Sequence, residues 1–193
     1  MIIYDIEIKK AIAGRNDTRQ EGVEYCEGWN DHAGMGVSCI GAYDYAQDRY
    51  RMFLADNMPE FTELCASADV IGGFNSIPFD NKVCQLNDIT VPDGKSYDLL
   101  REIWAAAGLP PAFNFRTHGG YGLDAMAFTN LGASKSGNGA TAPVDFQRGR
   151  FGTLTDYCLT DVWLTKKLMD LVIRDGQLKC PKTGSMLTIR KPF

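Results

Sequence analysis

The stretch Met1-Ile-Ile-Tyr-Asp-Ile-Glu-Ile8 decides the fold, because it is apolar enough for a central strand and yet carries two acids. Successive side chains of a strand point to opposite faces, so Asp5 and Glu7 project from the same face as Ile3. Burying an unpaired charge is costly, and something must therefore compensate these carboxylates. The stretch predicts a buried strand with an acidic site on one face.

The segments that follow predict more strands and then an alternation of helices and strands. Residues 13–36 are polar and glycine-rich, which is typical of an excursion between strands. We predict strands at 37–43, 49–54, 70–74 and 96–100, and helices at 58–68, 101–108, 121–131 and about 154–174. Strands that come first and then alternate with helices predict an α/β fold with a mixed sheet, antiparallel at first and then parallel, flanked by helices.

Three local features complete the predicted organisation. Ser76 and Pro78 are expected to open a helix after the strand at 70–74, which places Asp80 near the positive end of its dipole. The glycine-rich residues 132–149 are expected to hold no regular structure. The tail resembles a hairpin, so we expect a domain over 1–175 with a hairpin or tail of 176–193 packed on it.

Composition excludes several classes of protein. No apolar stretch approaches the ~20 residues that span a bilayer, and Met1 leads into a strand without a basic leader, so we expect a soluble cytoplasmic protein. The net charge of −4 argues against a general nucleic-acid coat protein. Six scattered cysteines and only two histidines argue against a zinc site.

A late helix carries a third misplaced acid. Apolar residues recur there at three- and four-residue intervals, and Asp161 lies on the same stripe, one turn after Tyr157. If this stripe packs on the acidic face of the first strand, Asp161 meets Asp5 and Glu7. Asp80, placed after the apolar run at 70–74, adds a fourth acid.

Four carboxylates in one pocket repel each other unless cations hold them. Hard oxygen ligands without histidine or cysteine suit two Mg²⁺ or Mn²⁺ ions, and paired ions of this kind favour phosphodiester hydrolysis. Each piece alone is weak: Asp-x-Glu occurs by chance, Asp80 could serve only as a helix N-terminal acid, and Tyr157 and Asp161 could form a hydrogen-bonded core pair. Their combination in this order favours the metal site.

Three segments resemble the exonuclease motifs of the DEDD superfamily, in its tyrosine-bearing DEDDy subgroup. They are most similar to the proofreading exonuclease domain of family B DNA polymerases. The resemblance implies a ribonuclease H-like fold and a 3′-to-5′ exonuclease that acts on single-stranded DNA, with RNA as the alternative, in a bacterial or phage-infected cell. The segments are Tyr4-Asp-Ile-Glu7, Gly73-Phe-Asn-Ser-Ile-Pro-Phe-Asp80 and Tyr157-Cys-Leu-Thr-Asp-Val-Trp-Leu-Thr-Lys-Lys-Leu168.

The resemblance also implies a role for each residue of the motifs. Asp5, Glu7 and Asp161 would hold one ion, with Asp5 bridging to a second ion that Asp80 supports. Tyr157 would orient the attacking water. Two residues of the second motif, Asn75 and Phe79, would contact the substrate.

Basic residues near the glycine-rich loop are further candidates for substrate binding. Lys135, Arg148 and Arg150 could neutralise backbone phosphates, although ordinary solvated surface charge explains each of them equally well. Two other functions stay open: a non-catalytic nucleic-acid-binding or assembly module on the same fold, and a ribonuclease H-like endonuclease. The complete set of four acids favours an enzyme, and Tyr157 argues against the endonuclease.

Two departures from the family pattern qualify these expectations. Ile8 stands where the family often has Thr or Ser, which puts in doubt one contact to the terminal nucleotide and leaves the metal site intact. No polymerase palm motif follows the third segment, so we expect a free-standing nuclease or a subunit. A partner in replication or repair cannot be read from the sequence.

Overall fold

Strand β1 lies at the centre of a five-stranded mixed sheet in the computed structural model, which describes residues 1–14 and 18–193. The sheet has the order β3-β2-β1-β4-β5, in which β1 pairs antiparallel with β2 and parallel with β4. This arrangement confirms the predicted α/β class with a mixed sheet and is compatible with a ribonuclease H-like fold. The strands are β1 (Ile2–Ile8), β2 (Val37–Asp44), β3 (Arg49–Phe53), β4 (Ile71–Gly73) and β5 (Ser96–Asp98).

Helices cover both faces of this sheet. They are α1 (His32–Met35), α2 (Met58–Ser67), α3 (Asp80–Gln85), α4 (Leu99–Ala106), α5 (Phe115–His118), α6 (Leu123–Leu131), α7 (Ala142–Gln147) and α8 (Phe151–Asp175). Helix α8 packs on β1 and β2, on the face that carries Asp5 and Glu7. On the opposite face, Tyr4 and Ile6 share a buried cluster with Phe61 of α2 and Val83 of α3. The two layers place β1 in the middle of the molecule.

A glycine in β2 allows α8 to lie close to the sheet. Gly41 is paired with Asp5, and a Cβ atom at this glycine would lie 3.0 Å from Cys158 Sγ and 3.1 Å from Val162 Cγ2. Such contacts are shorter than ordinary van der Waals separations, so a side chain here would push α8 outward. Gly41 therefore helps to bring Asp161 to the acids of β1.

The chain ends in a hairpin of β6 (Gln177–Lys179) and β7 (Met186–Thr188), which matches the predicted hairpin. Gly176 adopts the left-handed conformation with φ of 69° and ends α8. Leu178 and Leu187 are buried in the cluster that also contains residues of α4, α6 and α8. The division into a domain over 1–175 and a tail over 176–193 stays a prediction. Within the described ranges, no helix combines the length and the apolar character needed to cross a membrane.

The prediction that residues 132–149 hold no regular structure is wrong for part of the segment. Helix α7 forms there, with Pro143 in its first turn, where a missing N–H costs nothing. Val144 and Asp145 are buried as α7 packs on α8 and β1. Tertiary packing therefore stabilises a helix that is too short to show an amphipathic period.

The prediction that Ser76 caps a helix is also wrong. Helix α3 begins at Asp80, and Ser76 Oγ is buried without a hydrogen-bond partner among the described atoms. Residues 76–79 form turns instead, and the Asn81 N–H donates to the Ser76 carbonyl at 2.8 Å. The predicted excursion over 13–36 contains α1, and its residues 15–17 lie outside the described residues.

Candidate metal centre

The two acids of β1 lie together under α8. An oxygen of Asp5, an oxygen of Glu7 and the Cys158 sulfur all lie within 4.8 Å of one another. Cys158 Sγ donates to the Asp5 carbonyl at 3.6 Å, which ties the middle of α8 to the strand. Burial, followed by the charges of Asp80 and Glu7, raises the pKa of Asp5 well above its ordinary value.

Asp80 reaches the same region from the start of α3. It is buried, and its Oδ1 accepts a hydrogen bond from the Ile6 N–H of β1 at 3.3 Å. Burial raises the pKa of Asp80 to about 8, although the backbone N–H donors lower it in part. The second predicted motif is therefore joined to the first through the backbone of β1.

Asp161 and Tyr157 point into the site from α8. Asp161 is 3% exposed, and its Oδ1 is buried without a hydrogen-bond partner in the part of the chain that the structure describes. Its Oδ2 lies 2.5 Å from Lys135 Nζ. That ammonium also lies 5.2 Å from the centre of the Tyr157 ring. One lysine of the glycine-rich loop therefore contacts both residues of the third motif.

The ionisation of this group follows from burial and from Lys135. Burial raises the pKa values of Glu7, Asp161 and Tyr157, while the Lys135 ammonium lowers each of them in part. Burial lowers the pKa of Lys135 itself, and Asp161 more than offsets this, so the lysine stays charged. The site is thus an excess of carboxylates, partly compensated by one internal cation.

All five predicted catalytic residues line one cavity of about 430 Å³. Its lining combines these carboxylates with apolar and aromatic side chains. Gly139 closes over the phenol, since a Cβ there would lie 3.4 Å from the Tyr157 hydroxyl oxygen. The lining residues are Asp5, Ile6, Glu7, Ile8, Ile12, Trp29, Phe74, Asn75, Phe79, Asp80, Lys135, Asn138, Gly139, Ala140, Pro143, Tyr157 and Asp161.

The second motif presents its substrate-contact candidates on a loop that Asp98 anchors. Asp98 accepts hydrogen bonds from the N–H groups of Asn75 at 2.9 Å and Ile77 at 3.1 Å. Asn75 has a φ of 64°, a left-handed conformation that asparagine tolerates better than most residues. Both Asn75 and Phe79 line the cavity, as a contact with a bound nucleotide requires.

The three basic candidates separate in the structure. Lys135 lies in the cavity, whereas Arg148 donates to Gln20 Oε1 at 3.1 Å and Arg150 pairs with Asp145 at 2.6 Å. Both arginines are exposed and are not part of the cavity lining. Their predicted contact with phosphates stays a prediction.

Three residues of the site were not selected from the sequence. Cys158 follows Tyr157 on the buried stripe of α8, and that period is the signal that could have placed it there. Asp98 precedes a helix, which marks it as a cap, and it does accept from the Leu100 N–H at 3.0 Å. Trp29 lies in the irregular 13–36 segment, and no periodic pattern there relates it to the acids.

The residues fit a divalent metal centre. Four carboxylates supply hard oxygen ligands, and no histidine lines the described cavity. The expectation that no cysteine lies nearby is wrong, since the Cys158 sulfur is within 4.8 Å of an oxygen of each acid of β1. Its hydrogen bond with Cys39 and its burial raise the pKa of Cys158, however, so it stays a thiol. The orphaned Oδ1 of Asp161 is a buried acceptor that a cation would satisfy, and Lys135 already holds positive charge beside the other oxygen. The donor set thus favours Mg²⁺ or Mn²⁺.

Comparison with known proteins supports the fold. No protein-family model matches the chain, and no curated protein sequence matches it. The chain is similar in structure to a family B DNA polymerase from the hyperthermophilic archaeon Pyrobaculum calidifontis, with a TM-score of 0.58 and 18% identity. The match covers 89% of this chain and 24% of the polymerase chain, so the chain spans about a quarter of that protein. At this identity the likeness concerns the fold alone.

Proposed function

We propose that this protein is a divalent-metal-dependent 3′-to-5′ exonuclease that acts on single-stranded ends, with DNA favoured, and releases nucleoside 5′-monophosphates. The observation that carries the proposal is the cavity into which four carboxylates and one phenol converge from β1, α3 and α8. The likeness in fold to a DNA polymerase chain supports nucleic acid as the class of substrate.

The acids would hold two Mg²⁺ or Mn²⁺ ions. Asp5, Glu7 and Asp161 would bind one, and Asp5 with Asp80 would bind the other. Ions of this kind, when bound, supply charge that stabilises the pentacovalent phosphorus and the leaving oxygen, and they lower the pKa of the attacking water. Because the acids must be ionised to act as ligands, their raised pKa values make them hold protons that a metal has to displace.

Tyr157 would orient the attacking water. Burial raises the pKa of its phenol, so the hydroxyl keeps its proton at neutral pH and is not a general base. A fixed hydroxyl can still donate and accept hydrogen bonds, and it lies one helical turn from Asp161. Its role is therefore to hold the nucleophile in line with the phosphorus.

The rest of the cavity would hold the terminal nucleotide. Asn75 and Phe79 would contact that nucleotide at the mouth of the cavity. Lys135 would pair with a backbone phosphate once a metal at the free Oδ1 of Asp161 has weakened the ion pair at Oδ2. Arg148 and Arg150, which are exposed, would contact phosphates farther along the strand.

A hydrolysis assay tests the proposal. DNA and RNA strands of the same sequence, labelled at the 5′ end, are incubated with the protein and Mg²⁺ or Mn²⁺, and products are separated by length. We expect a ladder that shortens from the 3′ end. Asp161→Asn should slow it by about 10³-fold or more, and Tyr157→Phe by about 10²-fold with metal affinity unchanged.

The matched control is Asp156→Asn, the same change at an exposed position of α8, which should leave the rate unchanged. Cuts inside a circular strand would identify an endonuclease instead. Binding of the strand without hydrolysis would identify a non-catalytic module. If Tyr157→Phe lost metal affinity by the same factor as it lost hydrolysis rate, the phenol would have a structural role.

A further inference from the structure

Trp29 is exposed at the mouth of the acid-lined cavity. Its side chain is 68% exposed, and among the large exposed apolar residues of the described chain it is the one that lines this cavity. Its ring centre lies 6.4 Å from that of Phe79. A large aromatic ring left in water forgoes the gain from burial, so its position calls for an explanation.

The loop that carries Trp29 is fixed by hydrogen bonds. The Asp31 carboxylate accepts from the N–H groups of Glu27 and Gly34, each at 2.9 Å. Helix α1 is in turn attached to the residues that flank α3, since Asn87 Nδ2, after this helix, donates to the His32 carbonyl at 3.1 Å and the His32 ring lies 6.0 Å from that of Phe79, just before it. Trp29 is therefore presented at the cavity by a backbone that is already ordered.

The side chains that line the cavity are of two chemical kinds. The carboxylates can hold cations that bind a phosphate, and Trp29, Phe79, Ile12 and Pro143 offer apolar surface. A nucleotide has the same division, with a charged phosphate at one end and a flat apolar base at the other. Aromatic side chains bind unpaired bases by stacking, and stacking accepts any base because every base has a π-face.

We propose that Trp29 is a nucleobase-stacking residue, which with Phe79 holds the base of the nucleotide whose phosphate reaches the acids. This inference rests on the proposed function and extends it to the segment between β1 and β2. It gives a reason for the exposed indole at this point, since an aromatic ring left in water can bind a base by stacking. Trp29 then contributes to binding and positioning, and the acids contribute the chemistry.

Binding of a product nucleotide tests the inference apart from hydrolysis. The probes are deoxyadenosine 5′-monophosphate and 2-deoxyribose 5-phosphate, which lacks the base, each with Mg²⁺. Tryptophan emission and equilibrium dialysis report binding. We expect the nucleotide to quench emission in the wild type and in Trp163→Phe, and to quench it much less in Trp29→Phe.

The affinity of Trp29→Ala for the nucleotide should fall by about 10- to 100-fold, while its affinity for the sugar phosphate stays the same. Trp29→Phe should recover most of the loss, because a smaller ring still stacks. Equal affinity of Trp29→Ala and the wild type for the nucleotide, or no quenching in the wild type, overturns the inference. If the nucleotide-binding result is negative but the 3′-end ladder appears, the exonuclease proposal stands and the role of Trp29 is wrong. If the ladder is absent but the nucleotide binds as expected, the exonuclease proposal is wrong and Trp29 is still a base-stacking residue.

Discussion

The two faces of β1 are both covered by helices and are chemically opposite, and the half-buried Asp5 is the most accessible residue of the strand. Glu7 is 6% exposed and its neighbour Ile6 is 5% exposed, yet one is charged and the other apolar. The face with Tyr4 and Ile6 packs on α2 and α3, and even the Tyr4 hydroxyl has a partner, Asn81 Oδ1, at 2.5 Å. The face with Asp5 and Glu7 lies under α8, where the Oδ1 of Asp161 has no partner among the described atoms.

The difference shows which face stabilises the fold and which lowers its stability. Apolar burial on one face stabilises the folded state. Crowded carboxylates on the other face destabilise it when no cation is bound, because burial and mutual repulsion disfavour their ionised forms. Such an arrangement is typical of a functional site, where stability is lost for the sake of chemistry.

The largest expected effects, on hydrolysis and on stability, come from substituting one residue on each face of β1. Asp5→Asn removes a charge from the acidic face, so it should slow hydrolysis by about 10³-fold or more and raise the free energy of unfolding in EDTA. Ile2→Ala opens a cavity on the apolar face, so it should lower the free energy of unfolding by about 2–5 kcal/mol. Urea denaturation and the 3′-end ladder measure the two quantities. The assignment of chemistry to the acidic face and stability to the apolar face would be wrong if Asp5→Asn lowered the free energy of unfolding. It would also be wrong if Ile2→Ala were folded but inactive.

A second effect should appear when pH is varied without metal. The folded protein holds its buried acids protonated up to higher pH than the unfolded chain, whose carboxyl pKa values are near ~4. Burial raises the pKa of Asp80 to about 8, so between these values the folded state binds more protons, and its stability falls as pH rises. Urea denaturation in EDTA from about pH 5 to about pH 9 should show a decline of ~1.4 kcal/mol for each unit of net pKa shift.

Two further measurements test whether the fall in stability with rising pH comes from the acidic face. Saturating Mg²⁺ should stabilise the protein more at high pH than at low pH, because the ion binds the ionised carboxylates. Asp80→Asn should flatten the pH dependence, whereas Ile2→Ala should lower the whole curve without changing its slope. A wild-type stability that does not change over this range would mean that the acids are ionised in the folded protein.

Periodicity in the sequence predicts the elements that carry the acids, since alternation in β1 and the apolar stripe of α8 each fix a face. It therefore predicts the fold class, and it places Asp161 beside Asp5 on the condition that α8 packs on the acidic face of β1, as it does in the structure. The rest depends on contacts between distant, irregular segments, such as Asp98 with the Asn75 N–H and Lys135 with Asp161. No local pattern encodes these contacts. For the same reason, the sequence pattern does not predict the position of Trp29, which belongs to a loop, or the formation of α7, which packing stabilises.

The smallest effect concerns the internal cation that partly compensates the acidic face. Lys135 Nζ lies 2.5 Å from Asp161 Oδ2, so a divalent ion that binds the free Oδ1 of Asp161 is repelled by this ammonium and competes with it for the carboxylate. Lys135→Met keeps an aliphatic chain over Tyr157 and removes the charge, so Mn²⁺ affinity should rise by about 5-fold, as expected for an ion pair worth ~1 kcal/mol. Without metal the variant should be slightly less stable, because its acids lose their compensation. Mn²⁺ titration followed by electron paramagnetic resonance measures the affinity, and Lys166→Met, which breaks an ion pair with Asp170 on α8 outside the cavity, is the control. Weaker Mn²⁺ binding by Lys135→Met would mean that the lysine holds the ligands in place, and the acidic face would then depend on the glycine-rich loop for its geometry as well as for its charge.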